Sequence, residues 1–270
     1  MTMDTHLHAA SDDVVRYPRS PAGFGSDWWQ RGGLDAGSIL STLHAAGIAR
    51  GVIVQPVGLY GYDNRYVVEA VGDHPGQLSA VVAVDPSAPD AAATIAGLAA
   101  SAAVVGVRLF AVGGSDAWVT TDRAAAAFDA ARVGGLTVVL TVFGRHLGPL
   151  RSVIDAFADV PVALDHCAFP ALAGATVADG DPLLDLAGVA NLFLKVSSHL
   201  LLDAERGGDP ADLVDQLAGC FGADRLMWGS DYPQTVDDYG ALVDIADQAC
   251  RRLGGAEQAG FMGGNAAALF

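Results

Sequence analysis

Short runs of β-branched and apolar residues recur along this chain, separated by longer Ala- and Leu-rich segments. The short runs predict strands over 3–8, 51–55, 78–84, 104–110, 136–143, 160–166, 191–196 and 225–230. The longer segments predict helices over 35–46, 64–72, 88–100, 122–133, 147–157, 181–187, 210–221 and 237–253. Gly47, Gly72, Gly134 and Gly222 follow four of these where a left-handed C-cap would sit. One more helix is expected over 256–270. Eight strand–helix alternations predict an α/β fold, a (β/α)8 TIM barrel forming a single domain over 1–270 with an extra C-terminal helix. A doubly wound open sheet is the alternative, but the closed barrel fits better because it brings the two ends of the chain together.

Those ends carry the most pointed chemistry. Asp4-Thr5-His6-Leu7-His8 opens the chain and Trp228-Gly229-Ser230-Asp231-Tyr232-Pro233 lies near its close. Residues two apart on a strand share a face, so His6 and His8 aim at one spot, as suits a metal or a polarised carbonyl. In a barrel the eighth strand lies beside the first, which puts Asp231 next to that pair. Two imidazoles and a carboxylate form a nitrogen and oxygen set suited to zinc, manganese or iron. Asp4 has the same parity but lies deeper, where it would support a ligand rather than be one.

Barrel chemistry gathers at the C-terminal ends of the strands. Gln55, Arg108, Asp165, His166 and Lys195 all fall there. Asp231 is expected to take a proton from attacking water and pass it to the leaving group; its alternative task is to cap the next helix. His166 would bind metal or a substrate oxygen, or else sit satisfied in the core. Arg108 calls for a carboxylate, supplied by substrate or by protein, and for Lys195 an internal ion pair is an equal alternative. Gln55, Tyr62 and the Trp28-Trp29 pair are further candidate substrate contacts. His146 and His199 follow the fifth and seventh strands and could reach the mouth, whereas His44 and His74 are expected to face solvent. The aperiodic stretch 9–33, with Tyr17, Pro18, Trp28 and Trp29, is either a lid over the mouth or a loop packed on the rim.

Composition narrows the partners. Of 270 residues 51% are apolar and 17% charged, enough for a large core, and the net charge of −16 repels phosphate backbones and anionic membrane surfaces. Neither nucleic acid nor a membrane is an expected partner; a small anionic molecule is, because a few basic residues inside a cleft reverse the local sign. Three scattered cysteines, Cys167, Cys220 and Cys250, read as reduced thiols, and no secretory signal is visible, so a soluble cytoplasmic protein is expected. The oligomeric state is left open, a homo-oligomer included.

In order along the chain, Asp4-Thr5-His6-Leu7-His8, Arg16-Tyr17-Pro18, Gly106-Val107-Arg108-Leu109, Leu164-Asp165-His166, Leu194-Lys195-Val196-Ser197, Trp228-Gly229-Ser230-Asp231 and Gly264-Asn265-Ala266-Ala267 resemble the markers of amidohydrolase-related proteins. They resemble most the branch that holds 2-pyrone-4,6-dicarboxylate lactonase and sugar-lactone hydrolases. The resemblance implies a hydrolase of a small carboxylate-bearing lactone or related cyclic ester, with His6, His8, His166 and Asp231 lining the site, Asp231 activating water and Arg108 holding an anionic substituent. Metal-dependent members of the wider superfamily carry a further histidine at the end of the fifth strand, which here reads Leu136-Thr137-Val138-Val139-Leu140-Thr141-Val142-Phe143. A divalent ion, zinc or manganese, therefore stands beside a metal-free site as the alternative. Metal-dependent decarboxylation of a small unsaturated or aromatic acid is the second functional expectation. A barrel that binds a small acid without turning it over is the third.

Overall fold

The computed structural model describes residues 2–22, 27–112, 116–235 and 238–270. Its strands are β1 (Met3–Leu7), β2 (Arg50–Val54), β3 (Leu78–Val84), β4 (Val104–Phe110), β5 (Thr137–Thr141), β6 (Val162–Leu164), β7 (Leu172–Ala173), β8 (Thr176–Val177), β9 (Leu192–Ser197) and β10 (Leu226–Gly229). β7 and β8 pair as a small antiparallel hairpin outside the barrel. The other eight run parallel in the order β1-β2-β3-β4-β5-β6-β9-β10, forming the barrel wall of the (β/α)8 fold. Strands such as Leu78–Val84 are buried along their whole length, which is why they read as continuous Val- and Ala-rich runs rather than alternating ones. Several helices start on a side-chain cap: Asp35 accepts from Gly37 N and Ser38 N, Thr121 from Arg123 N, and Asp238 from Gly240 N and Ala241 N.

Three stretches depart from expectation. The helix expected over 181–187 is a single 3-10 turn, Leu184–Leu186, preceded by Asp181, whose carboxylate accepts from Leu183 N and from Ala171 N beside the hairpin. An unanticipated helix, Ser198–Gly207, follows β9 directly and carries His199 to the barrel mouth. The 256–270 segment is broken into Gly255–Ala259, a π-turn Gly260–Gly264 and a 3-10 turn Ala266–Ala268. At Gly263 (φ 137°) a Cβ would lie 2.3 Å from Met3 N, so the chain bends to pass against β1. Beyond the bend Ala266 and Phe270 pack with Met3, Val52, Val54, Val81, Val139, Ala163 and Met227 and plug the barrel from below. Of the four expected helix-ending glycines, Gly47 (φ 77°) and Gly222 (φ 91°) have positive φ; Gly72 ends its helix from inside, and Gly135, not Gly134, takes the left-handed turn. The helix expected over 237–253 is observed as Tyr239–Cys250; position 237 lies outside the described residues.

The barrel closes where the two ends of the chain meet. Leu7 bridges Tyr232 in parallel fashion, His8 N donates to Tyr232 O (2.8 Å) and Asp231 N donates to His6 O (2.8 Å). Below them Thr5 Oγ1 donates to Trp228 O (2.7 Å). Asp4 draws both edges together, Oδ1 accepting from Ser230 N (2.9 Å) and His6 N (3.0 Å) and Oδ2 from Tyr239 OH (2.9 Å). Burial raises the Asp4 pKa to about 6. Gly229 makes this approach feasible, because a Cβ there would stand 2.7 Å from His6 Cβ and 3.0 Å from Thr5 Oγ1. Gly229→Ala is therefore expected to lower stability by about 1–3 kcal/mol, the usual cost of overpacking, measured as a shift in the urea midpoint at unchanged slope.

Candidate active site

His6 ends the inward-facing row of β1 and His8 follows one step beyond its end, with ring centroids 5.0 Å apart. Each ring is turned by its Nδ1. His8 Nδ1 donates to Val54 O (2.8 Å), and His6 Nδ1 lies 3.2 Å from Asp165 Oδ1. A carbonyl and a carboxylate only accept, so in the neutral rings both protons sit on Nδ1 and both Nε2 lone pairs point away from these anchors. They converge on Asp231 Oδ1, at 3.6 Å from His6 and 3.3 Å from His8. Burial lowers the His6 pKa to about 4, which keeps that ring neutral near pH 7.

Asp165 holds the floor of the site. It is fully buried and takes charge or hydrogen bonds from four sides: His6 Nδ1 at 3.2 Å, Lys195 Nζ at 3.2 Å, Arg108 Nε at 3.1 Å and Thr141 Oγ1 at 2.6 Å. Burial alone would push its pKa up, but Lys195, His6 and Arg108 together hold it well below the usual carboxylate range. Asp165 is ionised.

The next residues run against backbone preference. His166, Cys167, Ala168 and Phe169 have φ of 55°, 52°, 60° and 56°, a left-handed turn that costs L-residues roughly 1–2 kcal/mol each. Phe169 N donating to His166 O (2.9 Å) and the Cys167 thiol donating to Lys195 O (3.6 Å) hold it in place. In a strand Asp165 and His166 would face opposite ways; the turn lets both reach the site. His166 stands 4.8 Å, ring centre to ring centre, from both His6 and His199. Burial lowers its pKa well below the ordinary value, and its Nδ1 is buried without a hydrogen-bond partner. Asp231 also has left-handed φ (58°); burial would raise its pKa, but its contacts with the surrounding imidazoles, His8 foremost, lower it overall.

These groups face a cavity of about 350 Å³ at the C-terminal ends of the strands. Its polar lining includes His8, His166, His199, Asp231, Thr141 and Arg108, and Trp28, Phe110 and Phe169 form its aromatic walls. Arg108 meets a protein carboxylate after all, since its Nε bonds Asp165 and Thr141 while Nη1 donates to Gln55 O (3.3 Å); it still borders the cavity.

Several candidates lie elsewhere. Lys195 is fully buried one layer below, paired with Asp165 and 5.1 Å over the Phe270 ring, so the internal ion pair is the arrangement found. Gln55 shapes the loop after β2 by donating to Gly61 O and Asp63 O (both 3.0 Å). Tyr62 packs behind the wall against the Val57, Ala83, Phe110 and Val112 cluster. His146 is turned away from the cavity, accepting from Phe143 N (3.1 Å) and pairing with Asp116 (3.1 Å). His44 is exposed, while His74 is half-buried. Trp28 stacks on His8 at 5.9 Å and 19°, so the 9–33 stretch does reach the mouth.

The donor set suits a divalent ion. Among the described residues His6, His8 and Asp231 offer three ligand atoms within 4.8 Å of one another, and His6 Nε2 and Asp231 Oδ1 are buried atoms with no hydrogen-bond partner. His166 belongs to two neighbouring groups, with His6 and Asp165 and with His199 and Asp231. The fifth strand contributes Thr141, which serves Asp165 rather than the converging histidines.

The profile of the family described as amidohydrolase matches residues 3–270. The L-fucono-1,5-lactonase of Burkholderia ambifaria is 32% identical, covering 83% of this chain and 80% of that one. A candidate 2-pyrone-4,6-dicarboxylic acid hydrolase of Acinetobacter baumannii, solved with citric acid bound, superposes with a TM-score of 0.80 at 22% identity, covering 99% and 98% of the two chains. A candidate hydrolase of the same description from Pseudomonas putida gives 0.74 at 26% identity, covering 99% and 96%.

Removing the Asp165 carboxylate strands Lys195 and Arg108 in the interior, and breaking a buried ion pair from one side typically costs about 3–5 kcal/mol. Asp165→Ala should show a loss of that order in urea unfolding. Adding Lys195→Met to Asp165→Ala should cost less than the sum of the two single changes, giving a non-additive double-mutant cycle.

Proposed function

This chain belongs to the amidohydrolase family, and we propose that within it the protein hydrolyses a small lactone or related cyclic ester. The observation that carries the reading is the convergence of His6, His8 and an ionised, buried Asp231 on one point of a cavity bordered by Arg108. The 32% identity to an L-fucono-1,5-lactonase supports the same class of substrate.

Asp231 Oδ1 accepts a hydrogen bond from the attacking water and orients it. Its low basicity means that it takes the proton only as the water oxygen bonds to the acyl carbon, not before. The acyl C–O bond to the ring oxygen then breaks, and the proton passes from Asp231 to that oxygen, leaving a hydroxy acid. His166, neutral and with Nδ1 unpartnered, is placed to donate to a substrate oxygen when Nδ1 carries its proton. Arg108, fixed by Asp165 and Thr141, presents its remaining guanidinium edge to a carboxylate or another oxygen substituent of the lactone. His6, His8 and Asp231 would hold a divalent ion, zinc or manganese, which when bound supplies Lewis-acid polarisation and acidifies water. Decarboxylation draws no support from the site, whose fifth-strand position is filled by Thr141.

A panel of sugar-acid lactones and carboxylated pyrones, assayed by acid release with and without added zinc or manganese, tests the proposal. Wild type should hydrolyse at least one class. Asp231→Asn should lower kcat by about 10²–10⁴, the range for loss of a general base, while remaining folded. A wild type inert toward the whole panel, or an Asp231→Asn variant with full kcat, rules the proposal out.

A further inference from the structure

His8 and Asp231, the pair that the proposed reaction depends on, sit on opposite sides of the seam between β1 and β10. That seam is joined by a lone bridge and a few flanking bonds rather than by a full ladder. A second connection crosses it at the mouth. Trp28 and Arg31 belong to one 3-10 turn, Trp28–Arg31, in the loop after β1. The Trp28 indole lies nearly parallel to the His8 ring, and it is 6% exposed although it borders the cavity. Arg31 ties that turn in two directions: its Nε donates to Trp28 O (3.1 Å), and its Nη2 donates to Pro233 O in the loop that carries Asp231. The same turn and loop line a second cavity beside the first, with Trp28, Gln234 and Thr235 common to both.

We infer that Trp28 is a positioning residue for His8, and that Arg31 straps it across the seam so that the His8–Asp231 spacing is held from above. The inference rests on the lactone-hydrolase reading for its kinetic consequence, not for its geometry. The Cβ tether and the Nδ1 bond to Val54 O together set the His8 ring, but a single hydrogen bond tolerates torsional swings of the ring within its angular range. The near-parallel, offset indole, 5.9 Å away between ring centres, narrows these swings and keeps Nε2 directed at Asp231 Oδ1, 3.3 Å away. Angular errors of this kind are expensive, since a displacement of about 1 Å can reduce turnover about 100-fold.

The test compares Trp28→Ala, Trp28→Phe, Arg31→Ala and Arg31→Lys by kcat and KM measured separately, by thermal midpoint, and by 15N-histidine NMR with the His8 signals assigned through a His8→Asn variant. Trp28→Ala and Arg31→Ala are expected to lower kcat by about tenfold or more with KM changed by less than about threefold. His8 should change from a single Nδ1-protonated form to a mixed or exchange-broadened one, and Phe at 28 and Lys at 31 should restore most of both readouts. A raised KM with kcat intact would make Trp28 a substrate wall and overturn the inference, as would an unaltered His8 spectrum. If wild type hydrolyses no lactone, the functional proposal fails, and the His8 spectrum alone still decides whether Trp28 positions the ring.

Discussion

An ionised carboxylate with no exposure to water is the constraint on which the rest of the site depends. Taking Asp165 out of solvent costs several kcal/mol unless its oxygens are well supplied with donors, and four side chains from four strands meet that demand. Each of them is fixed in return. His6 is locked into one tautomer, Arg108 is turned so that only part of its guanidinium borders the cavity, Thr141 accepts from Arg108 while donating to Asp165, and Lys195 is kept within the core. The left-handed turn from His166 to Phe169 is the backbone counterpart of this arrangement, because it lets the residue after Asp165 face the cavity.

The two chain ends contribute in a different way. The N-terminal strand supplies both converging histidines, and the C-terminal segment supplies Asp231 above and the Phe270 plug below. Gly229 and Gly263 are the two places where these segments come too close for a side chain, one near the site and one at the barrel base. The converging groups and the closure of the barrel are thus parts of one packing problem.

Much of this was legible in the sequence. Strand parity placed His6 and His8 on one face, and the alternation of short and long apolar segments predicted the eight-stranded parallel wall that brings Asp231 to them. Parity also explains the misplacements. Lys195 points inward, as a strand-end rule suggests, but it lies two residues before the end of β9 and so belongs to the layer beneath the cavity. Arg108 sits at the same depth in β4, yet its length lets it reach both the floor and the opening. Asp165 could not be ranked above its neighbour His166 because the turn that breaks alternation is formed by ordinary residues, with no glycine to mark it. The helix Ser198–Gly207 was hidden for a related reason: it starts with no gap after β9, so no turn signal separates the two.

The backbone bonds across the seam have a mechanical meaning. Because Asp231 N is bonded to His6 O and His8 N to Tyr232 O, the Asp231 carboxylate and both imidazoles hang from one composite ribbon, and peptide geometry contributes to their spacing along with the side-chain rotamers. Loops other than the one that carries Trp28 and Arg31 can be rebuilt around a differently shaped ring without moving these three groups, so a change in the shape of the cavity need not disturb their spacing.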